Sequence, residues 1–110
     1  MLMDEKGFIL IGVIVRRSAQ ALTVWLKGSG SLRYHATAMD AQRLALDFPG
    51  GRSVLQQSMM AVHHPLLARI RIGTDRRGLR VVFETESRIR YAIRPRPQAL
   101  AIQFQPARKR

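Results

Sequence analysis

Strict alternation of apolar and polar residues is the feature that most constrains how this chain can fold. Alternation with a period of two is typical of strands that bury one face, and turn residues such as Gly, Pro, Asp and Ser separate the runs. The pattern therefore predicts an all-β domain with one face of each strand in the core. The inward-facing series are Val13 and Val15; Leu22, Val24 and Leu26; Leu32, Tyr34 and Ala36; Leu44, Leu46 and Phe48; Ile70 and Ile72; Leu79, Val81 and Phe83; Ile89, Tyr91 and Ile93; and Leu100, Ile102 and Phe104.

The second half of the chain repeats the first. The string SLRYHATAMDAQRLALDFPG is echoed by RIRYAIRPRPQALAIQFQP, and 57 residues separate Tyr34 from Tyr91 and Leu22 from Leu79. The spacing from Phe48 to Phe104 is 56 residues, so the turn between the third and fourth strands differs by one residue. An internal duplication with halves at about 11–50 and 68–106 predicts a β-sandwich of two related, mainly antiparallel four-stranded sheets packed face to face.

With 110 residues the chain has room for one domain. We assign residues 1–106 to that domain and expect residues 107–110 to be a disordered basic tail. Between the halves, GRSVLQQSMMAVHHP lacks alternation, and a short helix beginning after Ser53 is compatible with it. The apolar run KGFILIGVIV is too short to cross a bilayer. We interpret it as a strand, with a remnant of an export signal as the alternative.

The charge is strongly basic, with 19 Lys and Arg against 7 Asp and Glu and a formal net charge of +12. This excess favours an anionic partner, because the planar guanidinium donates paired hydrogen bonds to carboxylates and phosphates. A solvated basic surface is the alternative. Cysteine is absent, which excludes disulfides and Cys-ligated metal sites.

Two strings resemble the AMIN domain, a module of bacterial cell-wall amidases and type IV pilus secretins. They are QRLALDFPG, residues 42–50, and PLLARIRIGTDRRGLRVVFE, residues 65–84. Thr74 stands where the family often has Gln, and no amidase or secretin sequence follows in this chain. The resemblance covers residues 11–104 and implies a β-sandwich in the periplasm or cell envelope. It also implies a non-catalytic module that binds peptidoglycan, or another anionic cell-wall polymer, and places an attached amidase or secretin domain there.

Outward positions of the alternation supply the candidate ligand-binding residues. Arg71 and Arg80 follow from the matching strings, and Trp25 could either stack on a sugar ring or pack against the protein itself. Arg43 and Asp47 lie four residues apart and therefore share a face of their strand, where they form either a ligand-facing cluster or a structural salt bridge. The candidates are Arg43, Asp47, Arg71, Arg80, Trp25, Arg33 and Arg90.

No arrangement typical of an enzyme or a cofactor site is visible in the sequence. His63 and His64 are adjacent and no carboxylate nearby completes a metal-ligand set. Two other functions are kept as alternatives: a protein-interaction domain of a pilus or secretion assembly, and a basic β domain that binds nucleic acid. Aromatic residues make up only 6% of the chain, which disfavours nucleic acid because base-stacking platforms are scarce.

Overall fold

The structure, a computed structural model, describes residues 7–107, and these residues form strands and no helix. No segment among them is a helix that could span a membrane. Residues 108–110 of the expected basic tail, and residues 1–6 of the N-terminal segment, lie outside the described residues. The strands are β1 (Ile9–Arg17), β2 (Leu22–Ser29), β3 (His35–Asp40), β4 (Arg43–Pro49), β5 (Arg52–Ser53), β6 (Met59–His64), β7 (Leu67–Asp75), β8 (Gly78–Glu84), β9 (Ile89–Arg96) and β10 (Ala99–Pro106).

The strands form two sheets of five strands each. Sheet I has the order β5-β1-β2-β10-β9, and sheet II has the order β3-β4-β8-β7-β6. All neighbouring pairs are antiparallel except β1 with β5. The all-β class is therefore confirmed, with one strand more per sheet than the alternation predicted. Each sheet combines a hairpin from the first half of the chain with a hairpin from the second.

The strand registers of the two sheets correspond to one another. Val15 pairs with Val24 in sheet I, and the residues 57 positions later, Ile72 and Val81, pair with each other in sheet II. The pairing that joins the two hairpins within each sheet also corresponds, because Ile102 pairs with Val24 and Leu46 pairs with Val81. The apolar side chains thus line the inner face of both sheets in the same order.

The expected helix after Ser53 is wrong, because this part of the chain forms β5 and β6. The N–H of Val54 donates to the carbonyl of Leu10, which continues the pairing of β5 with β1. In β6 the inward residue Val62 is buried, but the outward residue Ala61 is also apolar. That apolar outward position hides the period of two and explains why no strand was predicted there.

Aromatic side chains join the two sheets across the core. Phe83 of β8 and Phe104 of β10 are fully buried with ring centroids 5.5 Å apart, and Phe8 and Phe48 lie 5.0 Å apart. Burial of each such side chain stabilises the fold by roughly 1.5–3 kcal/mol. The sandwich is therefore held by side-chain contacts between the two sheets.

The two sides of the sandwich differ. On one side β5 and the loop around it cover the core, and the Arg17 guanidinium of sheet I donates to the Val62 carbonyl of sheet II at 3.1 Å. On the other side β3 and β9 are the edge strands, and the inward-facing Tyr91 of β9 is 41% exposed. The sandwich is thus closed along β1 and open along β3 and β9.

We expect Phe104→Ala to lower the free energy of unfolding by about 3–5 kcal/mol, because it leaves a cavity opposite Phe83. Chemical denaturation followed by circular dichroism measures this change. Val54→Ala is the control: this side chain is 52% exposed, and its truncation should change stability by less than about 0.5 kcal/mol. Equal losses in the two variants would contradict a core centred on these rings.

Candidate ligand-binding faces

The outer face of sheet II, called here the ion-pair face, carries alternating charges in register across its strands. Asp47 of β4 lies opposite Arg80 of β8, and Arg80 donates Nε to Oδ1 at 2.7 Å and Nη2 to Oδ2 at 3.0 Å. The two parallel hydrogen bonds match the fork of the guanidinium to the carboxylate. Asp47 is therefore engaged by the protein itself.

Glu84 of β8 makes a second ion pair on this face. Arg69 donates Nη1 to its Oε1 at 2.8 Å, and Arg71 donates Nε to its Oε2 at 3.0 Å. At the start of β4, Arg43 pairs with Asp40 through Nε at 2.9 Å and Nη2 at 2.8 Å. Asp40, Asp47 and Glu84 thus each have an arginine partner.

Four of the residues predicted from the sequence lie on the ion-pair face, but each is in a salt bridge. Arg43 and Asp47 share the face, as their spacing predicts, yet they pair with Asp40 and Arg80 and not with each other. Arg71 contacts Glu84. The geometry gives all four a structural partner, so a ligand on this face would compete with existing hydrogen bonds.

The ion pairs lower the pKa of the carboxyls involved. The hydrogen bond from Arg80 holds the pKa of Asp47 below its ordinary value of 3.8, against the opposing effect of partial desolvation. The hydrogen bond from Arg69, with a further one from Arg71, holds the pKa of Glu84 below 4.5. Both carboxyls are therefore ionised at neutral pH, and the face has little net charge.

The outer face of sheet I, called here the cationic face, is different because none of its five strands contains Asp or Glu. No side-chain ion pair forms on it among residues 7–107. Positive charges on neighbouring strands remain available to an anion from solution. They are Arg16, Lys27, Arg52, Arg90, Arg94 and Arg96.

Trp25 lies near the centre of the cationic face. It pairs in register with Ile14 on one side and Ala101 on the other, and Arg94 lies opposite Ala101 on the next strand. The indole is half-buried, whereas Ile14 is 42% exposed. The outward position predicted for Trp25 is observed. Together with Ile14 and Ala101 it forms a small apolar strip that is flanked by cations.

The remaining two predicted residues lie away from this strip. Arg90 is at the start of β9, where its Nε donates to the Pro106 carbonyl at 3.2 Å. Arg33 is an exposed residue of the segment between β2 and β3. Sequence reasoning did not select Lys27, Arg94 or Arg96, although a signal was present: the runs that become sheet I contain no acidic residue.

A surface cavity of about 530 Å³ lies at one end of the ion-pair face. Its charged side chains have both signs, and the apolar walls include Phe48 and Leu79. The charged residues are Asp47, Asp75, Arg77 and Arg80, and His35 also lines the cavity.

His64 lies elsewhere, where its Nδ1 accepts the hydrogen bond of the Leu66 N–H. No group of three potential metal ligands occurs within residues 7–107.

Comparison of the chain with protein-family models, with curated proteins and with solved structures finds no match.

The ion pairs predict how stability depends on pH. The pKa of Asp47 and that of Glu84 are lowered in the folded state. The ionised carboxyls therefore stabilise the fold at pH values above their ordinary pKa values of 3.8 and 4.5. This stabilisation is lost as the pH falls further, through the folded-state pKa values.

We expect Arg80→Met to lower the free energy of unfolding by at most about 1 kcal/mol, since the ion pair of Arg80 with Asp47 is half exposed.

Urea denaturation at about pH 6 and about pH 3 tests this sign. The difference in the free energy of unfolding between the wild type and Arg80→Met should shrink at the lower pH, because the stabilisation by ionised Asp47 is lost as the pH falls below 3.8 towards its lowered folded-state pKa. Arg76→Met is the matched control, because Arg76 is an exposed arginine of the β7–β8 turn. A difference that grows at low pH would contradict the pairing with Asp47.

Proposed function

We propose that this protein is a non-catalytic binding module of the bacterial cell envelope that binds peptidoglycan through the cationic face. The observation that carries the proposal is a sheet surface whose strands contain no carboxylate, on which cations without an ion pair among residues 7–107 surround the half-buried Trp25. The ion-pair face is the less suitable surface, since its carboxylates already neutralise its arginines.

The chemistry of the cationic face suits a peptide-linked glycan. Stem-peptide carboxylates are ligands for guanidinium groups, and the exposed part of an indole offers a stacking surface for a sugar ring. Lys27 and Arg96 lie on either side of Ala99 in the register. With strands about 4.8 Å apart, their backbones are roughly 10 Å apart, which leaves space for a ligand between two positive charges.

The resemblance to the AMIN domain supports the same proposal from the sequence. It rests on residues 42–50 and 65–84, which form β4, β7 and β8 in the structure. We further propose that the two halves arose by duplication, and the corresponding registers of Val15 with Val24 and of Ile72 with Val81 support this. A periplasmic or cell-envelope location, and an amidase or secretin as parent protein, are proposed on the resemblance alone.

The test is co-sedimentation of the purified protein with sacculi. We expect wild-type protein to pellet with the sacculi and to be released by salt, because the contacts are electrostatic. A double charge reversal, Lys27→Glu with Arg94→Glu, should reduce the bound fraction at least about tenfold, since opposing charges replace two ligand contacts. Arg76→Glu with Arg77→Glu is the matched control with the same change in net charge.

Trp25 provides a second measurement, because it is the only tryptophan of the chain. Soluble muropeptides that bind beside it should change its fluorescence, and free stem peptide without sugar should change it less. Gel-shift assays with RNA and DNA run in parallel. Nucleic-acid binding without pelleting on sacculi, or equal losses in both double variants, would overturn the proposal in favour of a non-specific polyanion surface.

A further inference from the structure

The open side of the sandwich contains a groove between β3 of sheet II and β9 of sheet I, called here the edge groove. It has a volume of about 300 Å³. Its floor is apolar, formed by Leu44 and Phe83 from the core of sheet II and by Ile89 and Tyr91 from β9. The groove lies on a different side of the molecule from both outer faces.

The exposure of the neighbouring strands shows that nothing within residues 7–107 covers this groove. Ala36 and Ala38 of β3 pair with Leu46 and Leu44, which are buried, so they face the core side of sheet II. Both alanines are nevertheless exposed, as are all six residues of β3. Small side chains at these positions leave room for a larger apolar group from outside.

The backbone of β3 is also open on its outer edge. Among residues 7–107, β3 pairs with β4 on one side and has no neighbouring strand on the other. It contains no proline, lysine or arginine, the residues that commonly protect an edge from further pairing, and its register is regular from His35 to Ala38, before an irregularity between Ala38 and Asp40. β9 is protected by contrast, since Pro95 and Arg96 lie at its end. An added strand would therefore pair with β3 and not with β9.

Charge decides which occupant fits the edge groove. Its charged residues are Asp40, Arg43 and Arg88, and Asp40 is already paired with Arg43. Arg88 has no ion pair or side-chain hydrogen bond within residues 7–107. A second copy of this chain, with a net charge of +12, would be repelled, whereas an acidic segment would be attracted.

We propose that the edge groove binds an extended acidic segment of a partner protein, which adds a strand to β3. An apolar side chain of the segment enters the space between Ala38 and Tyr91, and a flanking carboxylate accepts hydrogen bonds from Arg88. Main-chain pairing supplies affinity, while the apolar pocket and the guanidinium supply specificity. This site is independent of the cationic face and of peptidoglycan.

The test uses a fluorescein-labelled nonapeptide, EEELTLEEE, in fluorescence anisotropy titrations at about 0.15 M salt, where weak non-specific attraction is screened. The two leucines are two residues apart and so point the same way in a strand. We expect binding that is at least about tenfold tighter than that of EEESTSEEE, which has the same charge, or of KKKLTLKKK, which has the opposite charge.

Two protein variants with a matched control locate the site. Ala38→Trp fills the edge groove and Arg88→Glu removes the carboxylate ligand, so each should weaken peptide binding about tenfold or more. Thr37→Trp places the same bulk on the opposite face of the same strand and should leave binding unchanged. Melting temperatures of the three variants, measured beside the titrations, verify that each one is folded.

Several outcomes would overturn the proposal. One is equal binding of the leucine and serine peptides, and another is an equal loss with Thr37→Trp and Ala38→Trp. Sedimentation that reveals a concentration-dependent dimer, abolished by Ala38→Trp, would assign the groove to a second copy of the chain. Charge reversal on the cationic face, Lys27→Glu with Arg94→Glu, should leave the leucine preference intact, so the two proposed sites can fail separately.

Discussion

The structure depends on the burial of two apolar sheet faces against each other. Neither sheet can exist alone in water, because each has a row of Leu, Ile, Val and Phe on one side. The contact between Phe83 and Phe104 shows how this burial is arranged, since it joins β8 of sheet II to β10 of sheet I. Once these faces are buried, the alternation places every second residue on an outer surface, and that is where the charges lie.

The two outer surfaces have the same backbone register but different electrostatics. In sheet II, acidic residues on β4 and β8 lie beside arginines of neighbouring strands, as Asp47 does with Arg80, and the charges cancel. In sheet I, the corresponding strands contain no acidic residue. An outward pair there, such as Gln103 with Thr23, is therefore uncharged. One framework thus presents a nearly neutral polar surface on one side and a cationic one on the other.

The sides of the sandwich are likewise unequal. The chain between the halves covers the core beside β1, and Arg17 reaches the Val62 carbonyl to join the sheets there. No described segment performs this role beside β3 and β9, so Tyr91 remains partly exposed and an apolar groove stays open. A fold whose two sheets have corresponding registers therefore acquires an asymmetry from one connecting segment.

The sequence by itself determined the all-β class, the inward set of apolar residues and the 57-residue spacing, because the period of two depends only on local strand geometry. It also placed Trp25 outward. Only the tertiary structure decided which strands are neighbours, and hence that Asp47 pairs with Arg80 while Arg94 lies among residues without carboxylates. The physical reason is that ion pairing requires two side chains within a few ångströms, and these partners are 33 residues apart in the chain.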